Sequence, residues 1–165
     1  MSDLITTPVN TRWKVTDGGA LSLVIPYLNG DMVVAEARDA TGWKHEVVMV
    51  RGVPLGPVQT ERAPLEISGT AIRVDTDSAV TIEHVAYKKG TWASPTSTAA
   101  SVSPSPITHY TLTRQEYDGS TWTDKDVFKY CTLVTKYSEK SPAEEIAVTF
   151  TAMPYADDWR TLTVP

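Results

Sequence analysis

The side chains best suited to chemistry are three histidines, one cysteine, two pairs of adjacent carboxylates and five tryptophans. His45, His84 and His109 fall in three separate segments, with neither an HExxH spacing nor paired cysteines beside them, so the sequence offers no local scaffold for a metal. Asp157-Asp158 and Glu144-Glu145 are chain neighbours. In an extended segment such neighbours point to opposite faces, which reads as solvated strand ends rather than an acid–base pair. The serines concentrate in a Ser/Thr/Pro-rich stretch where no base is held in place, and no GxSxG, Walker-type or GxGxxG spacing occurs. Cys131 lies in the apolar run VFKYCTLV and reads as a small core residue. Indole faces suit the apolar faces of sugar rings, which makes Trp43, Trp92 and Trp122 candidates for a carbohydrate platform. One tryptophan per segment fits core and rim use better. The expectation is a protein without catalytic residues, metal or cofactor.

Composition narrows the partners. At 165 residues, 41% hydrophobic and 21% charged, the chain suits one globular domain with a real core. A net charge of −5, with Lys88-Lys89 the only basic pair, argues against a surface built to grip phosphates. The lone cysteine rules out a disulfide within the chain and suits folding in a reducing cytoplasm. No basic-then-apolar leader opens the sequence and no run approaches the roughly 20 apolar residues of a membrane span, so no membrane insertion is expected.

Most of the chain alternates with the period of strands. Residues 1–11 form a polar N-terminal arm, and 12–155 hold the β domain. Arg12–Thr16 and Leu21–Leu28 read as a hairpin around Asp17-Gly18-Gly19, with Pro26 marking an edge, bulge or break. Met32–Ala37 and Trp43–Val50 follow as strands. The second is apolar on both faces, which predicts one face in the core and the other in some contact. Arg51–Pro64, with three prolines and two glycines, reads as a long inter-strand loop. Leu65–Asp75 alternates, with a change of parity at Gly69-Thr70 that suggests a bulge. Ile107–Glu116, Val127–Tyr137 and Glu145–Met153 complete the strands, the last with Ile146, Val148 and Phe150 inward. Residues 91–106 read as a flexible surface loop, and 156–165 as a C-terminal tail seeking something to pack on.

One stretch has helical spacing. In Asp77–Gly90, Ala79, Ile82 and Ala86 share a side with Val85 next to them, which predicts a helix near 77–89. Asp77 or Ser78 would cap its start, Lys88 and Lys89 would occupy its last turn, and Gly90 would end it. So short a helix needs a sheet to cover its stripe. The expected fold is mainly β, with two packed antiparallel sheets in a sandwich- or barrel-like arrangement and one flanking α-helix.

This order of elements, with WKVTDGG and LSLVIPYLNGDM at its start, KKGTW after the helix and CTLVTKYSEKSPAEEIAVTFTAMPY at its end, resembles the major tail tube proteins of long-tailed bacteriophages. The likeness covers most of Arg12–Tyr155, as a pattern of elements rather than a fingerprint motif. It implies a fold similar to the tubes of contractile tails and type VI secretion, hexameric rings that stack, and a channel that passes DNA without binding it specifically. It implies also a place in the virion tail after assembly in the host cytoplasm, beside a tape measure, a tail terminator and a baseplate or tip. In that frame Arg51, Val53, Leu55, Val58, Glu61 and Arg62 of the long loop, with Leu4, Ile5, Trp159 and Leu162 of the two ends, are the expected contacts between subunits. The alternative is a monomeric β-sandwich binding module for carbohydrate.

Overall fold

In the computed structural model of the chain, residues 10–25, 28, 31–35, 43–72, 80–97, 108–138 and 145–164 are described. The chain is mainly β, with one large antiparallel sheet, a second sheet of two strands and one short helix. The large sheet comprises β1 (Thr11–Thr16), β2 (Ser22–Val24), β3 (Val33–Ala35), β6 (Leu65–Ile72), β7 (Tyr110–Tyr117), β8 (Trp122–Ser138), β9 (Glu145–Ala152) and β10 (Arg160–Leu162). Its order is β2-β1-β7-β8-β9-β6-β3, with β10 paired to β8. Among the described strands, β4 (Trp43–Val50) and β5 (Val53–Arg62) pair with each other as a separate sheet.

The sheet has to curl. Strands β2 and β3 lie at opposite edges, yet only residues 25–32 separate them. Fully extended, that connection spans at most about 30 Å, which is all that six strand spacings of about 4.8 Å would use in a flat sheet. The connection is not taut: Leu28 bridges to Ala71 on β6, and Trp13 Nε1 on β1 donates to Asp31 Oδ1 at 2.6 Å, next to β3. The curl wraps a core in which Trp13 stacks on Phe128, with Val15, Ile67, Leu112 and Val148 fully covered.

Local chemistry explains the first hairpin. Thr16 pairs with Ser22, and Asp17 Oδ1 accepts the backbone N–H groups of Gly19 and Leu21 at 2.9 and 3.0 Å, which fixes the turn. Strand β9 buries Ile146, Val148 and Phe150 as its alternation demands. The expected bulge at Gly69-Thr70 is absent: β6 stays in register with β9 from Leu65 to Ile72, and Leu65, Ile67, Gly69 and Ala71 keep one parity. Gly69 breaks the apolar pattern because Met32 fills the place of its side chain, with Met32 Cγ 2.8 Å from where a Cβ would stand.

The helix is shorter than its pattern. It spans Ile82–Tyr87 and buries Ile82 and Val85. Thr81 is the N-cap, its backbone N–H donating to His84 Nδ1 at 3.0 Å, while Asp77, Ser78 and Ala79 lie outside the described residues. Lys88, not Gly90, takes the left-handed position at the end, and Lys89 N–H returns to His84 O at 2.9 Å.

The stretch expected to be a flexible surface loop begins in the core, and the C-terminal tail finds its packing on the chain itself. Gly90–Trp92 forms a 3₁₀ turn that buries Trp92 edge-on to Tyr110, and Thr96 N–H donates to Asp17 Oδ2 at 2.9 Å. Residues 98–106 of the expected flexible loop lie outside the described set. The C-terminal tail is a strap. Tyr130 sits in β8 with φ +58°, where Lys129 and Tyr130 together oppose Thr111 and bend the strand. Residues 153–159 fill that bend: Met153 N–H donates to Tyr130 O, Lys129 N–H to Trp159 O, and Tyr130 Oη and Lys129 Nζ both reach Asp158 at 3.0 Å. The Lys129 ammonium and the Tyr130 hydroxyl hold the Asp158 carboxyl below its usual range.

Candidate functional site

The β4–β5 hairpin carries the largest concentration of uncovered apolar side chains among the described residues. Its turn places Arg51 and Gly52 at φ +51° and +77°, and two successive left-handed residues make a tight reversal between Val50 and its partner Val53. Glycine takes this conformation without strain and arginine does not. The stretch expected to be an irregular loop is therefore strand β5. Pro54 and Pro57 are compatible with it because each strand of a two-stranded ribbon has one edge free of ladder bonds. Register shifts between Lys44/His45 and Val48/Met49 leave Thr60 and Leu55 as extra residues on β5.

Both faces of the ribbon are apolar. Val48 and Val50 share one side, Val47 and Met49 the other, and all four are exposed. This corrects the expectation that one face of Trp43–Val50 packs into the chain's own core. Val53 is 59% exposed, Val47 60% and Leu55 68%. Apolar side chains clustered and exposed in this way mark interaction surfaces.

A groove of about 470 Å³ lies between β3 and β10 at the end of the curled sheet. Val34 and Leu162 form its apolar rims. Its floor is a buried ion pair: Arg160 binds Asp126 through two hydrogen bonds of 3.1 and 2.8 Å, the side chains 6% and 8% exposed, with the guanidinium also 4.9 Å from the Phe128 ring centre. Arg114 reaches Glu116 at 2.7 Å and Asp31 at 3.4 Å. Burial works against its charge, but the hydrogen bond it donates to Glu116 and the charge of Asp31 outweigh that and raise its pKa. With Lys125 the lining holds three cations and two carboxylates, and Arg114 reaches Asp31 besides.

The structure sorts the residues singled out in the sequence. Arg51, Val53 and Leu55 are exposed on the hairpin. Val58, Glu61 and Arg62 lie on β5 opposite Glu46, Lys44 and Trp43. Leu162 is exposed on the groove rim. Leu4 and Ile5 fall outside the described residues. Trp159 is 3% exposed inside the chain's own core, because its backbone is tied to Lys129, and so it is withdrawn from any contact between subunits. The tryptophans form no common platform: Trp92 is buried, Trp122 packs on Tyr117 beneath Arg12, and Trp43 stands at the base of the hairpin. His84 caps the helix, His109 packs edge-on to Tyr155, and among the described residues no three metal-ligating side chains converge. Cys131 is buried, and burial pushes its thiol pKa up. The run Val47–Val50 was the legible sign of this surface; the groove had none, since Val34, Arg114 and Leu162 meet only through the curl.

No protein-family model matches the chain, and none of the curated proteins compared with it matches its sequence.

Proposed function

We infer that the chain is a structural subunit that self-assembles into stacked hexameric rings, the tail tube of a long-tailed bacteriophage, and so forms a conduit for DNA. One observation carries the reading. The β4–β5 ribbon exposes aliphatic side chains on both faces. A two-stranded ribbon is only marginally stable alone in water, and apolar side chains left bare on both faces call for a partner to cover them. A binding pocket needs one covered face and one shaped face; a ribbon bare on both sides is suited to insertion between neighbours. The acidic net charge supports a conduit that DNA traverses without gripping. The family resemblance supplies the hexamer and the tube.

The test is negative-stain electron microscopy and light scattering across a concentration series, on the native chain and on Val53→Asp/Leu55→Asp. The expected outcome is rings or tubes with a central hole for the native chain and monomers for the variant, with unchanged thermal unfolding of the monomer. A native chain that stays monomeric at every concentration, or a variant that assembles like it, overturns the reading.

A further inference from the structure

Resting on that reading, we propose that the outer face of strands β8, β9, β6 and β3 receives the β4–β5 hairpin from a second copy of this chain. The register of the sheet defines that face. Val134, Thr149, Ser68 and Val33 form one row across the four strands. Lys136, Ala147 and Thr70 form the row on one side of it, and Thr132, Thr151, Glu66 and Ala35 the row on the other. Their chain neighbours Ile146, Val148, Phe150, Leu65 and Ile67 are buried in the core, so these rows point away from it. Three observations match this face to the hairpin.

The first is what lies bare. Outside the hairpin, Val33 and Val134 are the most exposed aliphatic side chains on the described strands, at 66% and 64%, and they stand at the two ends of one row. Between them Thr149 and Ser68 are shorter and half-buried, so the two valines flank a lower floor. The second is dimension. Three strand spacings separate the valines, about 14 Å, so a two-stranded ribbon laid over β9 and β6 has one valine on either flank. Sheets that pack face to face keep their strands nearly aligned in this way. Along the strands, Glu66 is four residues from Thr70, and Arg51 is four residues from Val47. With Arg51 above Glu66, the exposed run Val47–Val50 therefore ends above Thr70. Val50 and Val48, on one side of the ribbon, then fall about 3 and 10 Å behind Arg51, between rows that are about 7 Å apart. Val53 pairs with Val50 and falls beside it.

The third is charge. The segment Val47–Pro57 carries a single charge, Arg51, at its turn, and the three rows carry two, Glu66 and Lys136, at opposite ends of the face. All three side chains are exposed, and neither Arg51 nor Glu66 takes part in an ion pair among the described residues. Glu66 attracts the turn and Lys136 repels it, which fixes the direction in which the ribbon lies.

The experiment separates this docking mode from self-assembly itself. Light scattering across a concentration series follows association of the native chain, Arg51→Glu, Glu66→Arg and the double variant Arg51→Glu/Glu66→Arg. Each single variant sets like charges against each other, so the concentration needed for association should rise by about tenfold or more. The double variant restores the pair with its signs exchanged and should associate as the native chain does. Thermal unfolding of the monomer should be unchanged in all three, because both side chains are exposed. Position is read by mixing Val53→Cys with Ser68→Cys under mild oxidation and running non-reducing gels, with Val53→Cys and Val24→Cys, at the far edge of the sheet, as the control pair. Cys131 is buried and does not compete in the folded chain. The expected result is linked dimers clearly enriched over the control. Native association with single variants that behave like it, a double variant as weak as the singles, or linkage no greater than the control overturns this face while leaving a self-assembling subunit intact. Absence of association in the native chain overturns both.

Discussion

Removing Arg160 isolates the ion pair on which the groove rests. Arg160→Ala leaves the Asp126 carboxylate 8% exposed with its bidentate partner gone, and also strips the cation from the face of Phe128. Breaking a buried pair from one side costs about 3–5 kcal/mol because the remaining charge is stranded, and the lost cation–π contact adds roughly 1 kcal/mol. Domains of this kind have about 5–15 kcal/mol in total, so the variant should be folded but marginal. With a urea dependence of about 2 kcal/mol per molar, the unfolding midpoint should fall by about 2–3 M. Tryptophan fluorescence reads the transition well, since Trp13, Trp92 and Trp159 are buried. The double variant Arg160→Met/Asp126→Leu strands no charge and should recover most of the loss, because apolar replacement of a buried pair is often neutral. A loss below about 1 kcal/mol in the single variant would refute the account of this pair as a desolvated interaction. A double variant as weak as the single would mean that shape, not charge, was lost.

Three further outcomes follow from the same packing. Trp159→Ala should lower stability by about 3–5 kcal/mol, measured by thermal unfolding of the monomer, whereas a tail that served only contacts between subunits would leave the monomer unchanged. His109 is buried, which lowers its pKa from the ordinary 6.5, so the unfolded chain takes up its proton first. Its contribution to stability is intact above about pH 6.5 and is lost as pH falls from there toward the folded value. Between pH 7.5 and 5.0 the native chain should therefore lose more of its urea midpoint than His109→Gln does, each referenced to its own value at pH 7.5; equal losses would contradict this. Cys131 should resist a thiol reagent until urea unfolds the chain, because the thiol is both covered and held protonated by burial. Labelling at the native rate of an exposed thiol would count against its place in the core.

Much of the fold could be read locally, and the reasons are physical. Period-two alternation and turn residues act within a few positions, so β1, β4 and the buried face of β9 were legible from their own residues. Of the candidate site, Val47–Val50 announced itself as a strand with two apolar faces, and Arg51, Val53 and Leu55 were singled out, though as parts of a loop. Prolines hid β5, since proline forbids a central strand but not one in a two-stranded ribbon with a free edge.

What the sequence by itself determined is thus the β class, the turns and the near-neutral, apolar character of the hairpin, all set by neighbours in the chain. Tertiary structure alone decided which apolar residues are covered. Trp92 and Trp159 look like Val53 and Leu55 in any local window, yet the first two are buried and the last two bare. The difference comes from chain segments far away, the bend at Tyr130 that the C-terminal strap fills and the curl that brings Asp31 to Trp13. The groove exists for the same reason: β3 and β10 are more than a hundred residues apart in sequence and share a border only because the sheet closes on its core.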